Sequence, residues 1–121
     1  MRFMALLRAD EEVFSQAPPA VFEAMGEFAH EGFTNGILVE QGGLGPSALG
    51  AIVSLADGAI TAVDGPFTET KELIGGYAVI DVHSREEAVE LGRRLLQIHK
   101  DHWPGWEGSC ELRQVFTAGP S

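Results

Sequence analysis

The sequence predicts an α+β fold: two split β-α-β units with an inserted β-hairpin, forming a ferredoxin-like sandwich. In it, an antiparallel sheet carries two helices on one face. Three observations lead there. Six short apolar runs are separated by only two amphipathic stretches; Asp57-Gly58 makes a hairpin turn between two of the runs; and 121 residues leave room for one domain. A doubly wound parallel sheet fits less well, because two helices cannot serve as crossovers for six strands.

Residues 2–8 are an apolar run of strand length, closed by the charged Asp10-Glu11-Glu12. Pro18-Pro19 open the first helix, where a fixed φ and a missing N–H are tolerated. Val21, Phe22, Met25, Phe28, Ala29 and Gly32 then recur at helical spacing as one apolar face. Asn35-Gly36 end that helix. Ile37-Leu38-Val39 form the second strand, stopped by Gly42-Gly43-Leu44-Gly45-Pro46, and Ala51–Leu55 with Ala59–Val63 flank the hairpin turn.

Asp64-Gly65-Pro66-Phe67 break the hairpin, a polar stretch 68–72 follows, and 73–82 is the longest strand candidate. Ser84 with Glu87 reads as a capping box for a helix over 85–101. The apolar stripe of that helix is Ala88, Leu91, Leu95, Leu96 and Ile98, and Pro104-Gly105 stop it. Cys110, Leu112 and Phe116 mark one face of a last strand. The domain is expected over 1–116, with a frayed tail at 117–121.

Eight Lys and Arg against eighteen Asp and Glu give a net charge of −10, spread over both halves of the chain. Such a balance argues against nucleic acid and anionic membrane as partners, since phosphate binding needs a basic footprint. The lone Cys110 excludes an intramolecular disulfide and a multi-cysteine zinc site. The run after Arg2 is too short for a signal-peptide core, and no 18-residue apolar stretch occurs. A cytoplasmic address is the resulting expectation.

Residues 64–72 read Asp-Gly-Pro-Phe-Thr-Glu-Thr-Lys-Glu, followed by Leu73-Ile74-Gly75-Gly76-Tyr77. This stretch resembles the signature of the YCII-related family, in the branch named for its DGPF tetrapeptide. Arg2-Phe3-Met4 resembles the family's opening strand, and Gly42-Gly43-Leu44-Gly45-Pro46 its glycine-leucine-proline turn. His102-Trp103-Pro104-Gly105-Trp106-Glu107-Gly108 resembles the ending of one subgroup. Thr68 departs from the alanine most frequent at its position. The resemblance implies a protomer that dimerises, pairing two sheets into an α+β barrel. Other branches of the superfamily include lyases and isomerases of small molecules that need no metal or organic cofactor. Members of the DGPF branch often accompany extracytoplasmic sigma factors.

Topology places the candidate residues. The first and third core strands are antiparallel neighbours, so residue 73 starts beside the end of strand 2–8. A helix over 85–101 spans ~25 Å and strand 73–82 ~30 Å, so the helix finishes near where the strand began. Asp64 to Glu72, the loop Asp10–Glu12, His99, His102 and Trp103 are therefore expected at one end of the domain.

Two readings fit Asp64: a general base on a rim opened by Gly65, or a turn residue accepting from nearby N–H groups. His99 and His102, three apart, either share a ligand or cap and pack the helix end. Gly75 and Gly76 in mid-strand, with Tyr77, either line a cleft or admit Phe67 or a partner strand. Trp103 is a rim aromatic able to stack on a planar ligand or to pack.

Two function classes remain. In the first, Asp64 is a base with His99 or His102 as its acid partner, while Gly65, Phe67, Gly75, Gly76, Tyr77 and Trp103 line the site. The chemistry is then cofactor-free proton transfer on a small organic acid or phenol. In the second, the chain is a non-catalytic module gripping a protein such as a sigma factor. Strands 2–8 and 73–82 are continuous apolar runs, so both sheet faces call for burial, and a two-fold homodimer packed sheet on sheet would supply it.

Overall fold

Residues 2–9 form a strand, β1 (Arg2–Ala9), that lies inside a four-stranded sheet because it is apolar on both faces and pairs on both edges. The computed structural model describes residues 1–67 and 73–116. The polar stretch 68–72 and the tail 117–121, expected to fray, lie outside the described residues. After β1 come α1 (Glu11–Phe14), α2 (Pro19–Thr34), β2 (Leu38–Gly43), a single 3-10 turn (Ser47–Leu49), and the hairpin β3 (Ala51–Ala56) and β4 (Ala59–Asp64). The chain continues through β5 (Leu73–Asp81), α3 (Arg85–His102) and β6 (Ser109–Gln114).

The sheet order is β2-β5-β1-β6, with every neighbouring pair antiparallel. Strands β1 and β2 therefore run parallel to each other, as do β5 and β6; α1 and α2 lie in the first connection and α3 in the second. This is the expected α+β sandwich of two split β-α-β units. The inserted hairpin forms its own two-stranded sheet, with Asp57 (φ 52°) and Gly58 (φ 76°) both in the left-handed region that a tight two-residue turn demands.

Side-chain alternation sorts the four-stranded sheet into two faces. Phe3 and Ile80, paired across β1 and β5, are buried with Val82 and with Ala88 of α3, and Leu91 and Leu112 pack against them. That is the helix-covered face. Met4 with Val79 and Leu6 with Tyr77 lie on the opposite face, and all four are only half-buried. Helix α2 buries Val21 and Ala29. Near its end Gly32 lets Leu38 close in, since a Cβ there would sit 2.9 Å from that side chain.

Several boundaries differ from the sequence reading. The acidic run 10–12 is not a plain loop, because Glu11 begins the one-turn α1. Strand β2 continues into the glycines expected to stop it, since Gly42 and Gly43 pair with Tyr77 and Gly76. The Tyr77 ring lies over Gly42, where a Cβ would be 2.7 Å from it and would displace the ring. Phe22, assigned to the apolar face of α2, sits at its margin and is 63% exposed. Phe116 lies beyond the end of β6 and is exposed rather than on its inner face.

Helix α3 starts as its sequence demands. The Glu87 N–H donates to Ser84 Oγ at 3.1 Å, while the Glu87 carboxylate accepts from the His83 N–H at 3.2 Å, one residue earlier than in a standard capping box. Replacing Ser84 by alanine leaves the Glu87 N–H without its partner. Ser84→Ala is expected to cost about 1 kcal/mol, measured by urea denaturation.

Candidate functional site

The end of β1 lies beside the start of β5 and of β6, with Arg8 paired to Ile74 and Ser109, and Ala9 to Leu73. From there α1 folds across the sheet end and lays Phe14 on Gly75. A Cβ on Gly75 would run into the Phe14 ring, so a larger residue there would have to displace that ring. The sequence had Phe67 or a partner strand in this space; the occupant is Phe14. Gly76 has a different neighbour, the Gly42 carbonyl oxygen, 3.3 Å from where its Cβ would be.

Ser47 ties the surrounding loops together. Its N–H and hydroxyl both donate to the Glu11 carboxylate, the hydroxyl at 2.8 Å, and its oxygen accepts from the Phe67 N–H at 3.1 Å. The Gly65 N–H donates to the Gly50 carbonyl at 2.9 Å, and the Leu44 N–H to that of Gly75 at 3.0 Å. Gly65 lies so close to the 3-10 turn that a Cβ would fall 1.7 Å from the Ser47 carbonyl oxygen. The Gly65-Pro66 peptide bond is cis.

These contacts enclose a groove of about 690 Å³. Its walls include Arg8, Glu11, Phe14, Leu44, Ser47 and Phe67. Arg8 is held by Glu111, which accepts from Arg8 Nε at 3.2 Å and from Arg113 at 3.1 Å. The two guanidinium groups, Arg113 foremost, keep the Glu111 carboxyl below its ordinary range.

The residues singled out from sequence fall into four places. Phe67 and Gly75 line the groove, and Gly65 forms part of its frame through Ser47. Asp64 is the last residue of β4, exposed, and pairs with Ala51 in the hairpin. Tyr77 lies on the uncovered sheet face, its hydroxyl donating to Glu40 at 3.3 Å. His99 is 2% exposed, donates from Nδ1 to the Leu95 carbonyl at 2.8 Å, and packs against Trp106 at 4.4 Å between ring centroids and Trp103 at 6.4 Å. His102 is exposed on the final turn of α3. Among the described residues no hydrogen bond joins Asp64 to either histidine, and no three His, Cys, Asp or Glu side chains cluster as metal ligands would.

Sequence reasoning missed Arg8, Phe14 and Ser47 as site residues, and placed Glu11 at this end only as part of a loop. Glu11 read as one of three like charges at a strand end, and a four-residue helix leaves no periodicity to detect. The one available signal was Pro46-Ser47, a pair suited to opening a helical turn. His99 as a buried group was more legible. It continues the row of Ala88, Gly92 and Leu95 at helical spacing.

Fold and site together define a ferredoxin-like α+β protein with an open, mixed polar and apolar groove at one end of its sheet. The chain belongs to the YCII-related domain family, whose sequence model matches residues 1–104. It is also similar to an uncharacterized protein of Rhizobium meliloti (strain 1021), 40% identical over 88 residues that cover 68% of this chain and 67% of the other.

Burial lowers the pKa of His99 from its ordinary 6.5, and the hydrogen bond to Leu95 only partly opposes this. The unfolded chain therefore takes up a proton at this imidazole before the folded chain does. The resulting stability is complete above pH 6.5 and declines as the pH falls below that value. The urea midpoint should be higher at pH 7.5 than at pH 5.5, with a smaller difference in His99→Gln. Gly65→Ala pushes a methyl into the Ser47 carbonyl and should lower stability by roughly 1–3 kcal/mol in the same titration.

Proposed function

We propose that this chain binds a small organic acid or phenol in the groove and moves a proton on it without a metal or organic cofactor. The observation that carries the reading is the convergence of Arg8, the Glu11–Ser47 pair and the rings of Phe14 and Phe67 on one space of about 690 Å³. That volume is in the range of small-molecule sites, which combine apolar walls with a few fixed polar groups. The Arg8 guanidinium suits a carboxylate or phenolate, and the two phenylalanines suit an apolar body. The Asp64-Gly65-Pro66-Phe67 tetrapeptide supports membership of the DGPF branch.

Asp64 is the proton-handling carboxylate in this reading: Gly65 and Phe67, its near neighbours in the chain, frame the groove. Of the two histidines His102 alone reaches solvent, and it is retained as the acid partner; His99 serves packing. The working unit is a homodimer joined through its sheets. A non-catalytic module gripping a sigma factor is a second reading, favoured by the exposed apolar hairpin β3–β4. Binding of a purified sigma factor that Asp64→Asn leaves unchanged would support it.

A panel of small carboxylic acids and phenols, read by thermal shift, tests the first reading. A ligand at 100 times its Kd stabilises by about 2.7 kcal/mol, which is several degrees for a domain of this size. The expected result is such a shift with at least one panel member, lost in Arg8→Gln and kept in Asp64→Asn, with turnover lost in the latter. No shift with any member sinks the reading.

A further inference from the structure

Beneath the helices the core closes at one end of the inner sheet face, over Phe3, Ile80, Val82 and Ala88. Farther along the two central strands it does not close. There β1 and β5 present Ala5 opposite Ala78. Helix α2 brings Ala29 and Gly32, α3 brings Gly92, β6 brings Cys110, and the six border a cavity of about 110 Å³. Five elements thus meet through small side chains where close packing would call for larger ones.

The lining divides by polarity. Glu31, Asn35, Gln41 and Arg94 are exposed, and every other lining residue is buried or half-buried. The interior is therefore apolar, with its polar groups at the mouth. Arg94 spans the two helices there: its Nη2 donates to Glu31 at 3.1 Å, and its guanidinium carbon lies 4.7 Å from the Phe28 ring centroid. The cavity shares no lining residue with the groove.

We propose that this cavity is a second small-molecule site, for an uncharged molecule with a compact apolar body and one hydrogen-bonding head. Size sets the body. A dry apolar cavity of ~150 Å³ holds a benzene ring, so about 110 Å³ suits a chain or ring of about five carbons. A space left unfilled forfeits the contacts of the side chains around it, and such a body restores them.

Charge sets the head. Arg94 already has its carboxylate partner in Glu31, so a ligand anion would have to displace Glu31 and a ligand cation Arg94. The side-chain amides of Asn35 and Gln41 carry donors and acceptors without charge, which suits a hydroxyl or a carbonyl.

Cys110 is the lone cysteine of the chain and lines the cavity, so its alkylation reports occupancy in place. Burial pushes its thiol pKa up, and iodoacetamide labelling is therefore followed at alkaline pH, where thiolate forms. In the unaltered chain, n-pentanol and cyclopentanol should raise the thermal midpoint and slow labelling saturably, by about tenfold at ten times the Kd. Valerate should do neither. Ala78→Leu fills the cavity from the sheet and should abolish both effects with the far-UV circular dichroism unchanged. Ala5→Val, a smaller change, should raise the Kd several-fold. In Glu31→Gln, at an exposed position, Arg94 loses its carboxylate and valerate should begin to protect.

Neither effect from either alcohol in the unaltered chain leaves a packing void only and overturns the site. An unchanged Kd in folded Ala78→Leu or folded Ala5→Val puts the alcohol elsewhere and overturns it too. Protection of the unaltered chain by valerate overturns the uncharged head.

Discussion

The β1–β5 pair is apolar on both of its faces, and α2 and α3 cover only one of them. On that side Phe3 and Ile80 sink beneath α3 and the core closes. On the other, Met4, Leu6, Tyr77 and Val79 stay half-buried, hemmed by the Arg2–Asp81 pair at one end and Arg8–Glu111–Arg113 at the other. Hydrophobic burial has no direction of its own. The helices choose the inner face because each connects two parallel strands and must return along the sheet between them. Among the described residues the hairpin β3–β4 likewise finds no cover in its own chain.

Closing the end of the sheet is a polar problem. Where β1 stops, several loops bring backbone N–H groups together at half-buried positions, and each needs an acceptor. Backbone carbonyls take several of them, and Glu11 and Ser47 accept from the N–H groups of Ser47 and Phe67 with one carboxylate and one hydroxyl. In doing so they fix α1, the 3-10 turn and the Asp64–Phe67 turn relative to one another. The groove is the space these three segments leave when their polar groups are satisfied. At the groove, Gly65 and Gly75 bring the backbone close against a neighbour, one against a carbonyl and the other against a phenyl ring.

Periodicity and turn chemistry made the architecture legible: the stripe of α3, the cap at Ser84 and the Asp57-Gly58 turn are local signals, and tertiary structure agreed with them. The order of elements also sets the start of β5 beside the end of β1, where Leu73 pairs with Ala9. What stayed hidden was long-range. Glu11 and Ser47 are 36 residues apart and meet through a hydrogen bond that no local pattern announces. Gly75 could be read as admitting something bulky, but its occupant, Phe14, belongs to a one-turn helix with no periodic signature. The histidines show the same limit. Helical spacing put His99 on the inner face of α3, whereas its enclosure by Trp106 depends on how the chain turns back after Gly105.

The hairpin β3–β4, an exposed arm, and the groove share a hinge point. Strand β4 ends at Asp64, and the next residue donates its N–H to Gly50, just before the start of β3, while its Cα rests on Ser47. The Gly50–Gly65 hydrogen bond is thus at once the last rung of the arm and the first member of the groove's frame. A force that reorients the arm acts through this rung on Ser47, and through Ser47 on Glu11 and on the backbone of Phe67. A partner gripping the arm would hold that rung in place. A molecule lodged against Phe67 and Ser47 would stiffen the base from which the arm projects. Any binding at one of these places that changes the geometry of the rung must alter affinity at the other, because coupling of this kind is reciprocal.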